Sequence, residues 1–166
     1  MESFSGPLVS VLTTNYNGLE FLPETVESVL KQTFKNFEYI VVDDGSDDGS
    51  VEYLKSIKDP RVKLVLLPRS GRGKGLNEGL KYARGKYVAI LDADDVAPSY
   101  RLDAQVRQIE KEKNCDVLAG LFTVSLEKLP DKYLSNEKIR EIPYRDFIQR
   151  NPLCHSSTFI KRESLL

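Results

Sequence analysis

The sequence predicts an α/β domain with a mainly parallel central sheet. Short apolar runs without alternation recur along the chain, as in strands that are buried on both faces of a sheet. Segments with apolar residues at helical spacing separate these runs, which is the order expected of βαβ units. Clusters of aspartate directly follow two of the runs, at residues 39–42 and 87–91.

Each element has its own signal. Strands are expected where β-branched and aromatic residues concentrate, at residues 8–13, 38–42, 62–67, 86–91, 116–124 and 156–160. Pro23 suits the first turn of the first helix, and Pro60 ends the second helix, which begins near Gly49. A third helix is expected to emerge around Leu76 from a glycine-rich segment, with Gly85 placed to cap its end. A fourth helix is expected at 101–113 and a short one at 143–150.

The composition indicates a single globular domain over residues 1–166, with 40% hydrophobic and 30% charged residues and a net charge of −1. This charge argues against nucleic-acid binding, which normally requires a basic face. Cys115 and Cys154 lack the spacing of a zinc site or a disulfide scaffold, and we expect reduced thiols. There is no signal-peptide pattern and no apolar run of roughly 20 residues that would span a bilayer, so we expect a cytoplasmic protein, with peripheral membrane association left open.

The aspartates at positions 92, 94 and 95 form the strongest candidate site. Ligands of open α/β sheets bind just beyond the carboxyl ends of strands, and both aspartate clusters follow apolar runs, so we expect both to open onto one crevice at the same edge of the sheet. Neighbouring carboxylates repel each other, and oxygen ligands suit Mg²⁺ or Mn²⁺, which usually accompany a phosphorylated substrate. We expect Asp94 or Asp95 to hold the ion and Asp92 to contact a ribose hydroxyl or a metal-bound water. The alternative is a loop whose aspartates cap the next helix.

A second acidic cluster, Asp43 and Asp44, precedes Gly45 and Ser46. A carboxylate at this point would accept a hydrogen bond from the N–H of a base. Tyr16, at the end of the first strand, would stack on a base or form a hydrogen bond with it. The alternatives are a β-turn of the kind that Asp-Gly commonly makes, and a tyrosine of the core or its rim.

The glycine-rich segment 71–79 carries basic residues. Its backbone N–H groups, together with Lys74 or Arg72, would approach a diphosphate at a helix N-terminus. It matches neither the Walker A pattern nor the dinucleotide fingerprint, so a flexible basic surface loop is the alternative. Asn77 is a further candidate, or else a hydrogen-bonding partner of the sheet edge. His155, the single histidine, is a candidate for metal or phosphate contact, although a structural role is more common.

These motifs, in this order, resemble the inverting family 2 glycosyltransferases of the GT-A fold. Residues 9–17 look like the family's opening strand and nucleotide-contacting turn, except that Thr14-Asn15 stands where Pro-Thr is usual. Residues 41–46 resemble the uracil-facing motif, and residues 85–95 closely resemble the DxD element. Residues 73–79 look like the loop before the metal strand, without the family's Ala-Arg pair. Residues 151–158 resemble the acceptor-side loop of bacterial members.

The resemblance implies a GT-A-like αβα sandwich that binds a UDP-sugar or a related donor together with Mn²⁺ or Mg²⁺. Asp44 would read uracil, and Asp94 would be the main metal ligand. The implied donor-contacting residues are Thr14, Asn15, Tyr16, Asp43, Asp44, Lys74, Asn77, Asp92 and Ala93. The implied metal ligands are Asp94 and Asp92, with Asp95 and His155 as further candidates.

The implied chemistry is an inverting displacement in which an acidic base deprotonates the hydroxyl of a saccharide or lipid-linked acceptor, as in polysaccharide assembly. Glu163 comes too early in the family pattern to be that base, so we expect the base beyond Leu166. The chain would then hold the donor half, residues 1–125, and the start of the acceptor-side region, residues 126–166. A non-catalytic nucleotide-sugar module, a phosphoacceptor receiver domain and a nucleotidyltransferase remain as alternative interpretations.

Overall fold

A six-stranded sheet organises the residues that the computed structural model describes, which are 5–112, 114–120 and 154–165. Its strands are β1 Val9–Asn15, β2 Phe37–Asp43, β3 Val62–Leu66, β4 Tyr87–Ile90, β5 Val117–Ala119 and β6 Thr158–Lys161. Their order across the sheet is β3-β2-β1-β4-β6-β5. Strands β1 to β4 run parallel, whereas β6 is antiparallel to both of its neighbours. The predicted fold class is therefore confirmed.

Helices connect the strands in the described part of the chain. They are α1 Leu22–Leu30, α2 Ser50–Ser56, α3 Arg72–Leu80 and α4 Arg101–Lys111. Short 3₁₀ turns, His155–Ser157 and Arg162–Leu165, flank β6. None of the helices in the described ranges has the length and apolar character needed to cross a membrane.

The sheet is buried on both faces, which explains why its strands read as continuous apolar runs. On one face, side chains such as Val11, Tyr39 and Ala89 form a core with the apolar stripes of α1 and α4. On the other face, Leu12 and Ile40 belong to a second core that α3 covers. The architecture is the predicted αβα sandwich, with a helical layer on each side of the sheet.

The strand order changes direction between β1 and β4. The chain builds outward through β1, β2 and β3, and it then returns to place β4 on the opposite side of β1. A crevice forms at such a switch point because the connections on its two sides leave in opposite directions. Asn15 and Asp43 are register partners at the ends of β1 and β2, and Asp92 follows β4. Both acidic clusters therefore lie at the same edge of the sheet, as predicted.

Helix α3 lies close to the sheet because two glycines face it. A Cβ on Gly79 would overlap Leu12 Cδ1 and come within 2.9 Å of Val42 Cγ2, and one on Gly75 would come within 3.2 Å of Thr14 Cγ2. Residues four apart share one face of a helix, so these glycines fix the rotation of α3 about its axis. That rotation decides the direction of the other α3 side chains.

Several predicted boundaries are wrong. Helix α3 begins at Arg72, inside the glycine-rich segment, and ends at Leu80. Gly85 is not the predicted glycine cap of α3, because its φ is not positive. It lies instead against β1, where a Cβ would overlap the backbone nitrogen of Ser10. A 3₁₀ turn takes up residues 155–157, so the last strand starts at Thr158. The predicted extension of β5 to residue 124 and the helix at 143–150 lie outside the described residues.

Three buried polar side chains hold the loop that follows β4: Thr25 and Ser28 on α1, and Gln32 just after the end of that helix. The hydroxyl of Thr25 donates to the Ala93 carbonyl at 2.8 Å. The Ala97 N–H donates to Ser28 Oγ at 3.1 Å. A row of this kind satisfies loop backbone groups that would otherwise be buried without partners.

Gln32 completes the row with both ends of its amide. Its Nε2 donates to the Pro98 carbonyl at 2.7 Å, and its Oε1 accepts from the Leu102 N–H at 3.0 Å. Leu102 lies in the first turn of α4, so one side chain fixes both the end of the loop and the start of the next helix.

Glu38, on β2, is the second buried polar anchor, at 5% exposure. Its Oε1 accepts from Ser10 Oγ and from the Arg84 N–H, each at 2.7 Å. Its Oε2 accepts from Arg84 Nε at 3.0 Å and Nη2 at 2.9 Å. Burial by itself raises the pKa of Glu38, but the hydrogen bonds from Arg84 and Ser10 outweigh it and hold that pKa below the ordinary glutamate value.

Replacement of Gln32 by leucine is expected to destabilise the fold by about 1–3 kcal/mol, because the Pro98 carbonyl and the Leu102 N–H lose their partner in a buried place. Urea unfolding measures the loss. The matched control is Gln108→Leu on α4, where the amide bonds only to Glu112 among the described residues. Equal effects of the two substitutions would contradict the anchoring role.

Replacement of Glu38 by glutamine is expected to remove a pH-dependent part of the stability. Because the folded state lowers this pKa, the contribution is full above the unfolded value of about 4.3 and is lost as the pH falls through the folded value. Urea unfolding between about pH 7 and pH 3 should therefore show a shallower acid dependence in the variant than in the parent. The exposed Glu52→Gln serves as control; a parent-like slope in Glu38→Gln would disprove the assignment.

Candidate functional site

The carboxylate of Asp43 forms hydrogen bonds within its own loop and with the end of β1. Its Oδ1 accepts from the Ser46 N–H at 2.9 Å, and its Oδ2 accepts from Ser46 Oγ at 2.7 Å and from Asn15 Nδ2 at 2.8 Å. The residue is 1% exposed. These contacts make the turn that was the alternative interpretation of this motif, and they join the ends of β1 and β2. The direct contact of Asp43 with a ligand stays a prediction. In this structure the carboxylate is buried, and both of its oxygens already accept hydrogen bonds.

Asp44 is 2% exposed and is also occupied by the chain itself. Its Oδ1 accepts from the Ser70 N–H at 2.8 Å and from Ser70 Oγ at 2.7 Å. Its Oδ2 accepts from the Gly71 N–H at 2.8 Å and pairs with Arg69 Nη1. Burial alone would raise the pKa of Asp44, but the bonds from Ser70, Gly71 and Arg69 outweigh it and hold the pKa below the ordinary aspartate value. The carboxylate remains ionised and anchors segment 69–71.

Arg69 and Tyr16 form a stacked pair at the crevice. The guanidinium carbon of Arg69 lies 3.5 Å from the centre of the Tyr16 ring, which is within the range of a cation–π contact. Tyr16 is 46% exposed, so it lies at the rim of the sheet edge and not in the core. The contact of Tyr16 with a base stays a prediction, and Arg69 is a neighbour of Tyr16 that the sequence did not reveal.

The loop that carries Tyr16 is held by Asp47 and Asp48, which follow Asp43 and Asp44 in the sequence. Asn17 has a φ of 50° and exchanges two hydrogen bonds with Asp47, of 2.8 and 2.9 Å. The Leu19 N–H donates to Asp48 Oδ2 at 2.9 Å. Asp47 and Asp48 therefore support this wall of the crevice, as Asp43 and Asp44 do.

Asp92, in contrast, faces a cation from another element. Its Oδ1 pairs with Arg72 Nη2, and the same nitrogen lies 2.7 Å from His155 Nδ1. Since arginine only donates, His155 Nδ1 accepts in this contact. The Asp92 N–H donates to Ser156 Oγ at 3.0 Å. The structure thus brings Asp92 and His155 together with Arg72 between them, and their binding of a metal ion stays a prediction.

The surroundings keep His155 neutral. Burial lowers the pKa of His155, the Arg72 charge lowers it further, and only Asp92 opposes them, so this pKa is below the ordinary histidine value. A neutral imidazole nitrogen is the form that ligates metals. The distance from His155 Nδ1 to Asp92 Oδ1 is 3.9 Å.

Asp94 and Asp95 are exposed, and neither carboxylate accepts a hydrogen bond from the residues that the structure describes. No three His, Cys, Asp or Glu side chains in that part of the chain converge into a group able to hold an ion alone. Mg²⁺ is commonly bound by one or two carboxylates plus substrate phosphates and water. The carboxylates beyond β4 fit such an ion, with a phosphorylated ligand completing its coordination.

The other predicted residues lie around this centre. Thr14 packs its methyl group toward Gly75, and the Ala93 carbonyl accepts from α1. Lys74 and Asn77 are exposed on α3. Because each residue of an α-helix advances by about 100° around its axis, they point roughly 160° and 140° away from the direction of Arg72. Their contact with a ligand stays a prediction, since the helix directs Arg72 toward Asp92.

Arg101 holds the turn that carries His155 against β4. Its Nη2 donates to the Ile90 carbonyl at 2.8 Å and to the Thr158 carbonyl at 3.4 Å. Gln105 adds a bond from Nε2 to the Ser157 carbonyl at 2.9 Å. Burial lowers the pKa of Arg101 to about 10, so the side chain remains a cation at neutral pH.

Sequence comparison gives concordant results. The Glycosyl transferase family 2 profile matches residues 10–165. An uncharacterized glycosyltransferase of Methanocaldococcus jannaschii is 35% identical over 96% of this chain, and TuaG of Bacillus subtilis is 39% identical over 95%. The name of TuaG assigns it, as a candidate, to teichuronic acid biosynthesis. The chain spans 57% and 63% of the lengths of these two relatives.

Solved structures agree with this assignment. S. aureus TarS in complex with UDP-GlcNAc superposes with a TM-score of 0.75 at 25% identity, over 95% of this chain and 46% of that one. The mannosyltransferase PcManGT from Pyrobaculum calidifontis, in complex with GDP-Man and Mn²⁺, gives a TM-score of 0.72 at 22% identity, over 96% of this chain and 46% of that one. The second likeness shows the fold alone. The chain belongs to glycosyltransferase family 2 and has the GT-A fold.

Proposed function

We propose that this chain carries the donor site of a glycosyltransferase, which transfers a sugar from a nucleoside diphosphate to an acceptor hydroxyl by metal-assisted inverting displacement. The observation that supports this proposal is the meeting of three surfaces at the switch point between β1 and β4. Tyr16 provides an aromatic face, Arg69 and Arg72 provide positive charge, and Asp92 with Asp94 provides carboxylates. An aromatic face suits a base, positive charge suits a diphosphate, and carboxylates suit a divalent ion.

Tyr16 is the proposed platform for the base, since base–aromatic stacking contributes about 1–3 kcal/mol per base in nucleic-acid complexes. Asp44 anchors Arg69 over one face of that ring, so we assign the other face to the base and Asp44 to shaping the base pocket. Direct reading of uracil by the Asp44 carboxylate would require Arg69 or Ser70 to give up a hydrogen bond.

Asp92 and Asp94 are the proposed ligands of Mn²⁺ or Mg²⁺, with Asp95 and His155 as further candidates. When bound, the ion offsets the charge that develops on the departing diphosphate. Arg72, at the N-terminus of α3, stabilises the same charge from the protein side. The displacement also requires a carboxylate base for the acceptor hydroxyl, and we assign that base to none of the described residues.

UDP-sugar is the proposed donor because TarS, which matches 95% of this chain, has been solved with UDP and with UDP-GlcNAc. A guanosine donor is the competing outcome, given the GDP-Man complex of PcManGT. The name of TuaG supports a saccharide or lipid-linked acceptor of polysaccharide assembly. A cytoplasmic location with peripheral membrane association belongs to the same proposal.

We expect UDP at about 100 times its Kd to stabilise the chain by roughly 2.7 kcal/mol, in the presence of Mn²⁺ and not of EDTA. The variant Asp94→Ala should lose most of this stabilisation, because it lacks the main ligand of the ion. A thermal shift titration measures both. The control is Asp103→Ala on α4, whose carboxylate pairs with Arg107 on the surface.

The outcomes separate the alternatives. The absence of any shift with UDP, GDP or dTDP would contradict a donor site, and an equal shift in Asp94→Ala would contradict the metal assignment. Metal-dependent binding of a UDP-sugar without any turnover would favour the non-catalytic module.

A further inference from the structure

We propose that Arg72 is a built-in counter-ion of Asp92, which gives way to the divalent ion and moves to the diphosphate of the donor. Metal and nucleotide would then bind cooperatively. The identity of the two ligands rests on the proposed function. The competition between Arg72 and the ion, however, is testable without any nucleotide.

The first step, the displacement of Arg72 by the ion, is inferred from the position of Arg72 Nη2. It contacts Asp92 Oδ1 and lies 2.7 Å from His155 Nδ1, and those two acceptors are 3.9 Å apart. Two ligands at about 2.1 Å from one ion are separated by at most about 4.2 Å, so both atoms fit a single ion between them. The guanidinium nitrogen lies in that same place. Because like charges repel strongly at such short distances, the ion and Arg72 exclude each other.

The start of α3 shows where Arg72 would go. Its side chain is 50% exposed, and Asp92 and His155 are its hydrogen-bonding partners among the described residues. The Gly75 N–H is the first to bond back along α3, to the Gly71 carbonyl, so the preceding N–H groups of this helix lack a helical acceptor. A Cβ on Gly73 would meet nothing within 4 Å, which leaves room for a ligand at the backbone.

These groups suit a diphosphate that arrives with the ion. The guanidinium is a planar fork that binds phosphate oxygens in pairs, and the N–H groups add the positive end of the helix dipole. A displaced Arg72 therefore exchanges one anionic partner for another of higher charge. Metal without nucleotide offers the half-exposed Arg72 only water in place of Asp92, so the ion displaces it without this gain.

This exchange predicts a measurable coupling. If UDP draws Arg72 away from Asp92, it tightens Mn²⁺ binding by the same factor by which Mn²⁺ tightens UDP binding. We expect a factor of about 5 or more in the parent chain. In Arg72→Gln, Mn²⁺ alone should bind about 5-fold or more tightly than to the parent, UDP with Mn²⁺ should bind more weakly, and the coupling factor should fall toward 1.

The experiment is a titration of free Mn²⁺, followed by electron paramagnetic resonance, on the whole chain with and without UDP. Calorimetry gives the UDP affinity, and circular dichroism checks that each variant is folded. The control Lys55→Gln removes the same charge from the exposed face of α2 and should bind Mn²⁺ like the parent. Arg72→Lys keeps a positive charge and should stay closer to the parent than Arg72→Gln does.

Tighter Mn²⁺ binding by Arg72→Gln with reduced coupling supports the exchange. Unchanged, weaker or undetectable Mn²⁺ binding by this variant without nucleotide overturns the counter-ion role. Tighter Mn²⁺ binding with an unaltered UDP affinity overturns the transfer to the diphosphate. Failure of the proposed function is a different result, in which neither the parent nor any variant responds to UDP while the effect on Mn²⁺ alone persists.

Discussion

The buried carboxylate of Asp44 is the interaction on which the arrangement of the site depends. It accepts from the backbone and hydroxyl of Ser70, from the Gly71 N–H and from Arg69. These bonds tie the end of β2 to the segment that begins α3. They place the Arg69 guanidinium over an aromatic ring and make Arg72 the first residue of the helix. One ionised group thereby positions two cations at the mouth of the crevice.

The opposite wall of the crevice depends on neutral polar groups. Thr25 and Ser28 on α1, with Gln32 just beyond it, bind the loop that follows β4, and Gln105 on α4 binds the turn before β6. Backbone groups that are satisfied in this way keep the loop in one conformation. A ligand then meets a preorganised site and loses less free energy in ordering it.

The two acidic clusters differ in what remains available for a ligand. Asp43 and Asp44 are buried, and their oxygens are occupied by donors of the same chain. The carboxylates beyond β4 are partly or fully exposed, and Asp92 pairs with Arg72 across the crevice. Sequence pattern alone ranks the clusters only by their number of carboxylates. Hydrogen bonding separates a structural cluster, whose carboxylates are occupied by the chain itself, from a cluster whose carboxylates can bind a ligand. This difference supports the proposed function.

The sequence by itself determined the order of strands and helices, the apolar faces and the edge at which both acidic clusters lie. Burial periodicity is a local property of the chain, and helices between consecutive strands favour a parallel sheet. Only the tertiary structure decided the partners of each charge. Arg72 and His155 are 83 residues apart, and Asp44 and Ser70 are 26 apart. The choice of Arg72 over Lys74 followed from the rotation of α3, which Gly75 and Gly79 set by packing on β1 and β2. Hydrogen-bond partners depend on which distant segments meet, and residue spacing does not encode that meeting.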